Sequence, residues 1–414
     1  MPSSFNIVAL GPPTSGKTVY IATLHQVIGV GELAPGISFT TSHTERARLQ
    51  EVYDQVVNPN KGWPPSTYAG DPMRETKFTC TVEWTGMRSR FSRGLRRFAY
   101  PVFDITYVDY AGEWIPEAHR AEPQLINAFE RRLRDAHAIL GIIDGMRLRQ
   151  YLEGDGAGRD FFHDRIRPIV ETMRSHPVPI HFVITKWDLL GDYTLDEIQA
   201  RLLGSRETGF RELIEARTVM PRWGRKPVGH VRIIPVSSVG DFASLESDWQ
   251  VTKVAGRKPT HVNVEIPLVA AVSDICDLAL SELRQQQAAR SGGRSKRRSP
   301  VPDKGGSSPD IKLSTSGVEI NLTATIAFAF GAGVEISRQL GRPAAKAGHS
   351  MRRQYRRIRS QGIRGVKSDE AALFYVVRAF RDRLAVFENQ VDYQAGRIFS
   401  PDRAEDIDFP YSRS

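Results

Sequence analysis

The sequence predicts an α/β fold in which a mostly parallel sheet is covered by helices on both faces. Three observations predict it. Runs at 5–10, 138–143, 179–185 and 231–236 are short and mostly apolar, as strands buried on both faces are. Segments of helical period separate these runs, which makes each connection a crossover. The first run ends in a loop bracketed by glycines that opens directly into a helical segment.

That loop is Gly11-Pro12-Pro13-Thr14-Ser15-Gly16-Lys17-Thr18, between a strand over Phe5–Leu10 and a helix over Val19–Ile28. The spacing G-x-x-x-x-G-K-T in a strand–loop–helix setting predicts a phosphate-binding loop. Glycines let the backbone wrap an anion, and successive N–H groups point inward as a nest. The helix N-terminus adds partial positive charge. Lys17 is expected to reach the β- and γ-phosphates, and the Thr18 hydroxyl to ligate Mg²⁺. Gly11, Thr14, Ser15 and Gly16 are the other nucleotide-binding candidates of the loop. The fold class sharpens to a P-loop NTPase three-layer sandwich, followed by a smaller C-terminal α+β region. A Gly/Pro turn with a chance lysine is the bland alternative, and its setting between strand and helix argues against it.

The composition is that of an ordinary globular protein: 414 residues, 40% hydrophobic and 25% charged. Cys80 and Cys276 fall in a strand and a helix, so both are expected as buried free thiols in a reducing compartment. The N-terminus lacks a basic stretch followed by an apolar one. No apolar run approaches the roughly 20 residues needed to span a bilayer. The expected location is cytoplasmic. The net charge of +10 sits in one segment, because Arg338–Lys367 holds ten Lys/Arg and no Asp/Glu.

Along the chain, Gly31–Thr76 is a long insertion. In it Thr44 is expected to cap a short helix carrying Leu49, Val52 and Val56, before Gly62-Trp63-Pro64-Pro65-Ser66-Thr67 breaks regular structure. Strands over Lys77–Trp84 and Phe98–Val108 are joined by a basic turn. Helices follow over Ala118–Arg134, Asp160–Arg174, Leu195–Ala216 and Pro267–Gln286, with strands Ala138–Ile143, Pro179–Thr185 and Val231–Val236 between them. Residues 1–290 are expected to form the nucleotide domain. Residues 291–310 are expected to be a disordered linker, since 12 of the 19 residues Ser291–Pro309 are Gly, Ser or Pro. Residues 311–414 are expected to be a separate C-terminal region. There Val318 to Phe330 alternates with period two, Ile311 and Leu313 supply a hairpin partner, a basic helix follows, and Ser368 caps a helix. Its apolar face is Leu373, Val376, Phe380, Leu384 and Phe387. A membrane-inserting element is the competing reading of 318–330.

Four further motifs fit the phosphate loop. Asp109-x-x-Gly112 ends a strand: the carboxylate can hold Mg²⁺, and the Gly112 N–H can meet the γ-phosphate. Thr185-Lys186-Trp187-Asp188 ends another. A carboxylate at Asp188 accepts from guanine N1–H and the exocyclic amine, and the stem of Lys186 covers the base face. Ser237-Ser238, at the end of the last strand, offers backbone N–H groups to guanine O6. A threonine of the insertion is expected to complete the metal shell. Thr67 is preferred because Pro64 and Pro65 stiffen the approach, with Thr76 and Thr41 as competitors. An ordinary Asp–Gly turn and an ordinary strand-to-helix loop are the bland readings of the first two.

This set, in this order, resembles the translation-factor-related (Ras-like) GTPases over Ser4–Gln286. The Trp-Pro-Pro-Ser-Thr turn also resembles, more weakly, a bacterial group called double-GTPases, linked by genome neighbourhood to conflict and defence systems. The resemblance implies GTP/GDP and Mg²⁺ as cofactors, hydrolysis of GTP, and a protein partner read through the switch regions. Lys17, Glu113 and Thr67 are then the catalytic candidates. Three departures stand out. Thr185 replaces the usual Asn, which removes a tie to the phosphate loop. Ser238 stands where Ala is usual. Glu113 replaces the Gln that orients the attacking water, so slow intrinsic turnover, raised by a partner, is expected. A nucleotide-binding scaffold that barely hydrolyses and an ATP-using P-loop enzyme are the alternatives. The arginine-rich Arg338–Lys367 suits an anionic partner, nucleic acid or lipid head groups, with a solvated helix face as the plain alternative.

Overall fold

Strand β1 (Ser3–Gly11) runs through the middle of an eight-stranded sheet. The structure, a computed structural model, describes residues 3–29, 33–65, 73–89, 92–111, 123–191, 193–219, 228–293, 312–315, 318–321 and 356–400. The sheet also contains β2 (Ile37–Thr40), β3 (Met73–Ser89), β4 (Ser92–Ala111), β5 (Ala138–Asp144), β6 (Ile180–Thr185) and β7 (Val231–Pro235). Its order is Arg397–Phe399, β7, β6, β5, β1, β4, β3, β2. The five strands from β7 to β4 are parallel, and both edges add antiparallel strands. This is the expected P-loop three-layer sandwich.

Period two in β1 divides the layers. Phe5, Ile7 and Ala9 face one core, while Val8 and Leu10 face the other. The first core is closed by α1 (Lys17–Gly29) and α2 (His43–Val57). Beneath the second lie α3 (Pro123–Arg134), α4 (Gly145–Leu152), α5 (Gly156–Phe161), α6 (Arg167–Arg174), α7 (Leu195–Gly204) and α8 (Phe210–Val219), with a π-helical turn at Phe162–Ile166. The helix α9 (Ile266–Gly293) returns to the first core.

Several local expectations are corrected. The cap of α2 is Ser42, whose hydroxyl accepts from the Glu45 N–H at 3.2 Å; Thr44 lies inside the helix. The helix expected over 195–216 is two, because Thr208 diverts its hydroxyl to the Leu202 carbonyl and Gly209 turns with φ +76°. After β7 the chain inserts a small hairpin, β8 (Ala243–Leu245) and β9 (Val251–Lys253), which has no apolar periodicity to betray it. Helix α9 runs to Gly293, into the segment expected as linker. Cys80 and Cys276 are buried free thiols, as expected.

Of the C-terminal region, β10 (Lys312–Thr315) and β11 (Val318–Asn321) pair as the expected antiparallel hairpin. The remainder of the 318–330 pattern and Arg338–Tyr355 lie outside the described residues. Ser368 caps α10 (Asp369–Glu388), and Val376, Phe380, Leu384 and Phe387 are buried on its inner face. That face does not stand apart. Phe380 packs on Phe39 of β2 and Phe103 of β4, and β12 (Arg397–Phe399) extends the main sheet beside β7. Buried charges fix the junction. Arg232 of β7 makes a two-pronged contact with Asp274 of α9, at 2.7 and 2.8 Å, and also bonds Glu388 of α10. The C-terminal residues expected to form a separate region therefore share a core and a sheet with the residues before 291. Among the described residues no helix is long and apolar enough to cross a membrane.

Candidate functional site: a phosphate loop and a carboxylate in one pocket

The parallel strands end on one side of the sheet, and a pocket of about 280 Å³ opens there. Thr14, Gly16, Lys17 and Thr18 line it together with Thr185, Lys186, Asp188 and Ser238. Gly11, Ser15 and Ser237 lie buried just behind this lining. Eleven residues predicted from three separate stretches of sequence are thus brought together.

The loop takes its shape from backbone geometry that few residues tolerate. Thr14 has φ +60° and Gly16 φ +84°. Gly11 has no room for a side chain, since a Cβ there would lie 2.7 Å from the Ile142 Cβ of β5. The Lys17 ammonium donates to the carbonyls of Gly11 and Pro12 at 2.7 and 2.8 Å, and the Ser15 hydroxyl donates to Pro12 O at 2.7 Å. Lys17 is 4% exposed, so the cation is held within the loop where a phosphate would sit.

Thr185 corrects an expectation. In place of a lost tie, its Oγ1 lies 2.6 Å from the Ser15 carbonyl and 3.1 Å from that of Ile143. The next residue, Lys186, has φ +52°, and its ammonium bonds the Asp144 carboxylate at 2.7 Å and the Thr14 carbonyl at 3.2 Å. Asp144 in turn caps α4 by accepting from the Met146 N–H at 2.9 Å. One lysine so joins the ends of β5 and β6 to the phosphate loop, and its stem lines the pocket.

Asp188 is the carboxylate of the pocket lining. The Ser237 hydroxyl donates to its Oδ1. Ser237 Oγ itself accepts from the Gly240 N–H at 2.7 Å. The part played by Ser237 is therefore to aim Asp188, which backbone spacing alone did not reveal. Asp188 Oδ2 is buried and has no partner among the described residues. Burial pushes the Asp188 carboxyl up, against the pull of Ser237 and Lys186. Ser238 lines the pocket, with its carbonyl 2.8 Å from His261 Nδ1.

Asp109 ends β4 in parallel register with Ala9 of β1, beside the start of the loop. Its Oδ1 is buried and unpartnered among the described residues. Burial raises its carboxyl, and the charges of Lys17, Arg48 and Arg74 partly offset this. An orphaned carboxylate oxygen next to the loop that carries Thr18 fits a hard divalent cation such as Mg²⁺. Of the competing threonines, Thr76 is committed to Glu45, donating to its carboxylate at 3.2 Å, whereas Thr41 has a buried hydroxyl with no partner among the described residues. Thr67, Gly112 and Glu113 lie outside the described residues.

Sequence reasoning missed three contributors. Asp144 pairs with Lys186; its signal was an Asp–Gly step at a strand end. Trp63 and Val251 line the pocket from the insertion and the β8–β9 hairpin, and only the Trp-Pro-Pro turn marked the first.

No model of a known protein family matches the chain. No curated protein sequence matches it either. Among solved structures, the chain is similar to the signal recognition particle receptor SRb–SRX complex with GTP from Chaetomium thermophilum. Identity is 14% and the TM-score 0.28, over 58% of this chain and 94% of that one. It is also similar to elongation factor SelB from Methanococcus maripaludis with a GTP analogue, at 15% identity and TM-score 0.23, over 57% of this chain and 31% of that one. A third is the Arl6 small GTPase from Trypanosoma brucei with a nucleotide analogue, at 15% identity and TM-score 0.20, over 57% and 88%. The likeness to these GTPases is weak, and the fold stands on the strand order and the phosphate loop.

Proposed function

We propose that the chain is a GTP-binding switch with slow, Mg²⁺-dependent hydrolysis of GTP to GDP. The observation that carries the reading is Asp188: a buried carboxylate, one oxygen fixed by Ser237 and the other unpartnered, in the same pocket as the phosphate loop. Guanine presents two adjacent donors to such an oxygen pair, whereas adenine presents an acceptor at the same place and is repelled. This geometry favours GTP over ATP. Thr18 and Asp109, with Thr67 of the insertion, would hold the metal, which supplies charge for the β- and γ-phosphates. Lys17 would exchange its loop carbonyls for phosphate oxygens. Glu113 is the reason for slow turnover, since a carboxylate near the γ-phosphate is repelled by it, and a partner would raise the rate. The described part of the basic segment leaves Arg356, Arg357, Arg359 and Arg364 exposed, available to an anionic partner.

Calorimetry of the full chain with Mg²⁺ and GDP, a non-hydrolysable GTP analogue or ATP tests the reading. Guanine nucleotides should bind at least 100-fold more tightly than ATP, the size of discrimination that follows from leaving a buried polar group unpaired. Equal binding of ATP would overturn it. A scaffold that binds GTP but scarcely hydrolyses it shares the same pocket, and a single-turnover assay with and without cell extract separates the two.

A further inference from the structure

The pocket has an apolar side wall that the phosphate and base readers do not supply. It comes from Trp63, Pro64 and Pro65 of the insertion and from Val239, Ala243 and Val251 around the β8–β9 hairpin. The two halves are 188 residues apart in sequence at their closest tie, where the Trp63 indole N–H donates to the Val251 carbonyl at 2.7 Å. A second tie runs through Lys253. Its ammonium donates to the carbonyls of Gln55 and Asn58, at 2.7 and 2.8 Å, which close the C-terminal end of α2. A cation there suits the exposed carbonyls of the last helical turn. The same ammonium lies 4.8 Å from the centroid of the Trp63 ring. Behind the wall, Val56, Val239 and Phe242 form a small core of their own, against which Val19, Val52 and Trp63 pack.

Trp63 differs from its neighbours in that core. Phe242 and Val56 are each 1% exposed, while Trp63 keeps a partly accessible face on the pocket. A large flat ring presented to a nucleotide pocket, with its N–H already satisfied elsewhere, offers a stacking surface to a base or sugar.

We propose that Trp63 is a nucleotide-contacting residue, and that Lys253 is the positioning residue that holds it against the pocket. The pair acts as a clasp that sets how long the nucleotide stays bound. The proposal rests on the guanine-nucleotide reading of the pocket. Ligand release has to part the wall from the hairpin or slide past the ring, so loss of either tie should speed dissociation more than it alters base choice, which belongs to Asp188.

The test uses the full chain and a GDP carrying a fluorescent methylanthraniloyl group, chased with excess GDP in a stopped-flow instrument. Absence of any uptake by the wild type overturns the pocket reading itself, and so stands apart from failure of the clasp. Given uptake, Lys253→Met should raise the dissociation rate about tenfold, the size expected when one aromatic contact to a base is weakened. Lys253→Arg, which keeps charge and donors, should restore it. Trp63→Phe, a mild change that keeps a ring, should raise the rate less, and should remove part of the energy transfer from tryptophan to the bound fluorophore. GTP-over-ATP preference should be unchanged in all three. Wild-type dissociation rates in both Lys253→Met and Trp63→Phe, or undiminished energy transfer in Trp63→Phe, would overturn the clasp.

Discussion

Thr185 Oγ1 lies 2.6 Å from the carbonyl oxygen of Ser15, so the end of β6 is bonded directly to the phosphate loop. A hydroxyl has one hydrogen, and the nearer carbonyl takes it in preference to that of Ile143 at 3.1 Å. Thr185→Val keeps the shape and deletes the donor. Leaving a buried carbonyl unsatisfied costs about 1–3 kcal/mol. Thermal melts should show that loss, and calorimetry should show weaker GDP binding. An unchanged melting temperature would mean that the bond contributes nothing.

Asp188→Asn replaces the acceptor oxygen pair with one acceptor and one donor. Guanine then loses a partner and meets a repelling N–H, so preference for GTP over ATP should collapse while the fold survives. The pH dependence has a definite sign. Burial raises the Asp188 carboxyl above its ordinary value of 3.8 in the free protein. Guanine donors favour the ionised form, so binding expels a proton wherever Asp188 is still protonated. GDP affinity should rise with pH through the raised value and level off above it. Calorimetry between pH 4.5 and pH 7.5, in buffers of different ionisation enthalpy, would show both the rise and the released proton.

Gly11→Ala places a methyl group 2.7 Å from the Ile142 Cβ and 3.0 Å from its carbonyl oxygen. Neither neighbour is a flexible tip, because both belong to the central strand β5. The chain must shift, at about 1–3 kcal/mol. The denaturation midpoint should fall, and nucleotide binding should fall further because the shift displaces the loop. Wild-type stability would show that β1 and β5 are less tightly apposed.

Asp274 is fully buried beside Arg232, and Asp274→Asn leaves that guanidinium without its main counter-charge. The cost of breaking such a pair is about 3–5 kcal/mol. Burial by itself would raise the Asp274 carboxyl, but the Arg232 charge outweighs this and holds it well below its ordinary 3.8. A depressed carboxyl stabilises the fold above its unfolded value, near 3.9, and loses that contribution as pH falls toward the folded value. Urea titrations should show the wild type losing stability below pH 4 and the variant losing less.

Removal of residues 356–414 uncovers Phe39 and Phe103 on the sheet and the side of α9 that packs in the same core, and strips Glu388 from Arg232. The shortened chain should aggregate or expose dye-binding apolar surface. A monomeric, cooperatively folding fragment would restore the independent nucleotide domain expected from the linker composition.

Much of the nucleotide end was readable because its chemistry is local. The loop from Gly11 to Thr18 depends on residues that permit positive φ and on donors within a few positions of each other. The strands from β5 to β7 are mostly apolar, since both their faces are covered. Asp109, Asp188 and Ser237 sit where such strands end. The role of Ser237 toward Asp188 was not readable, because the bond spans 49 residues. Nor was the service of Thr185 as a tie, which depends on how closely the Ser15 carbonyl approaches it.

The sequence by itself determined the phosphate loop, the parallel core strands and the capped helix after Ser368, because backbone preference and short-range periodicity act within a dozen residues. Tertiary structure alone decided that α10 and β12 complete the nucleotide layer and that Trp63 meets Lys253 at the pocket wall. Such contacts arise when surfaces fitted in three dimensions exclude water together, and a pairing between distant stretches leaves no period in either of them.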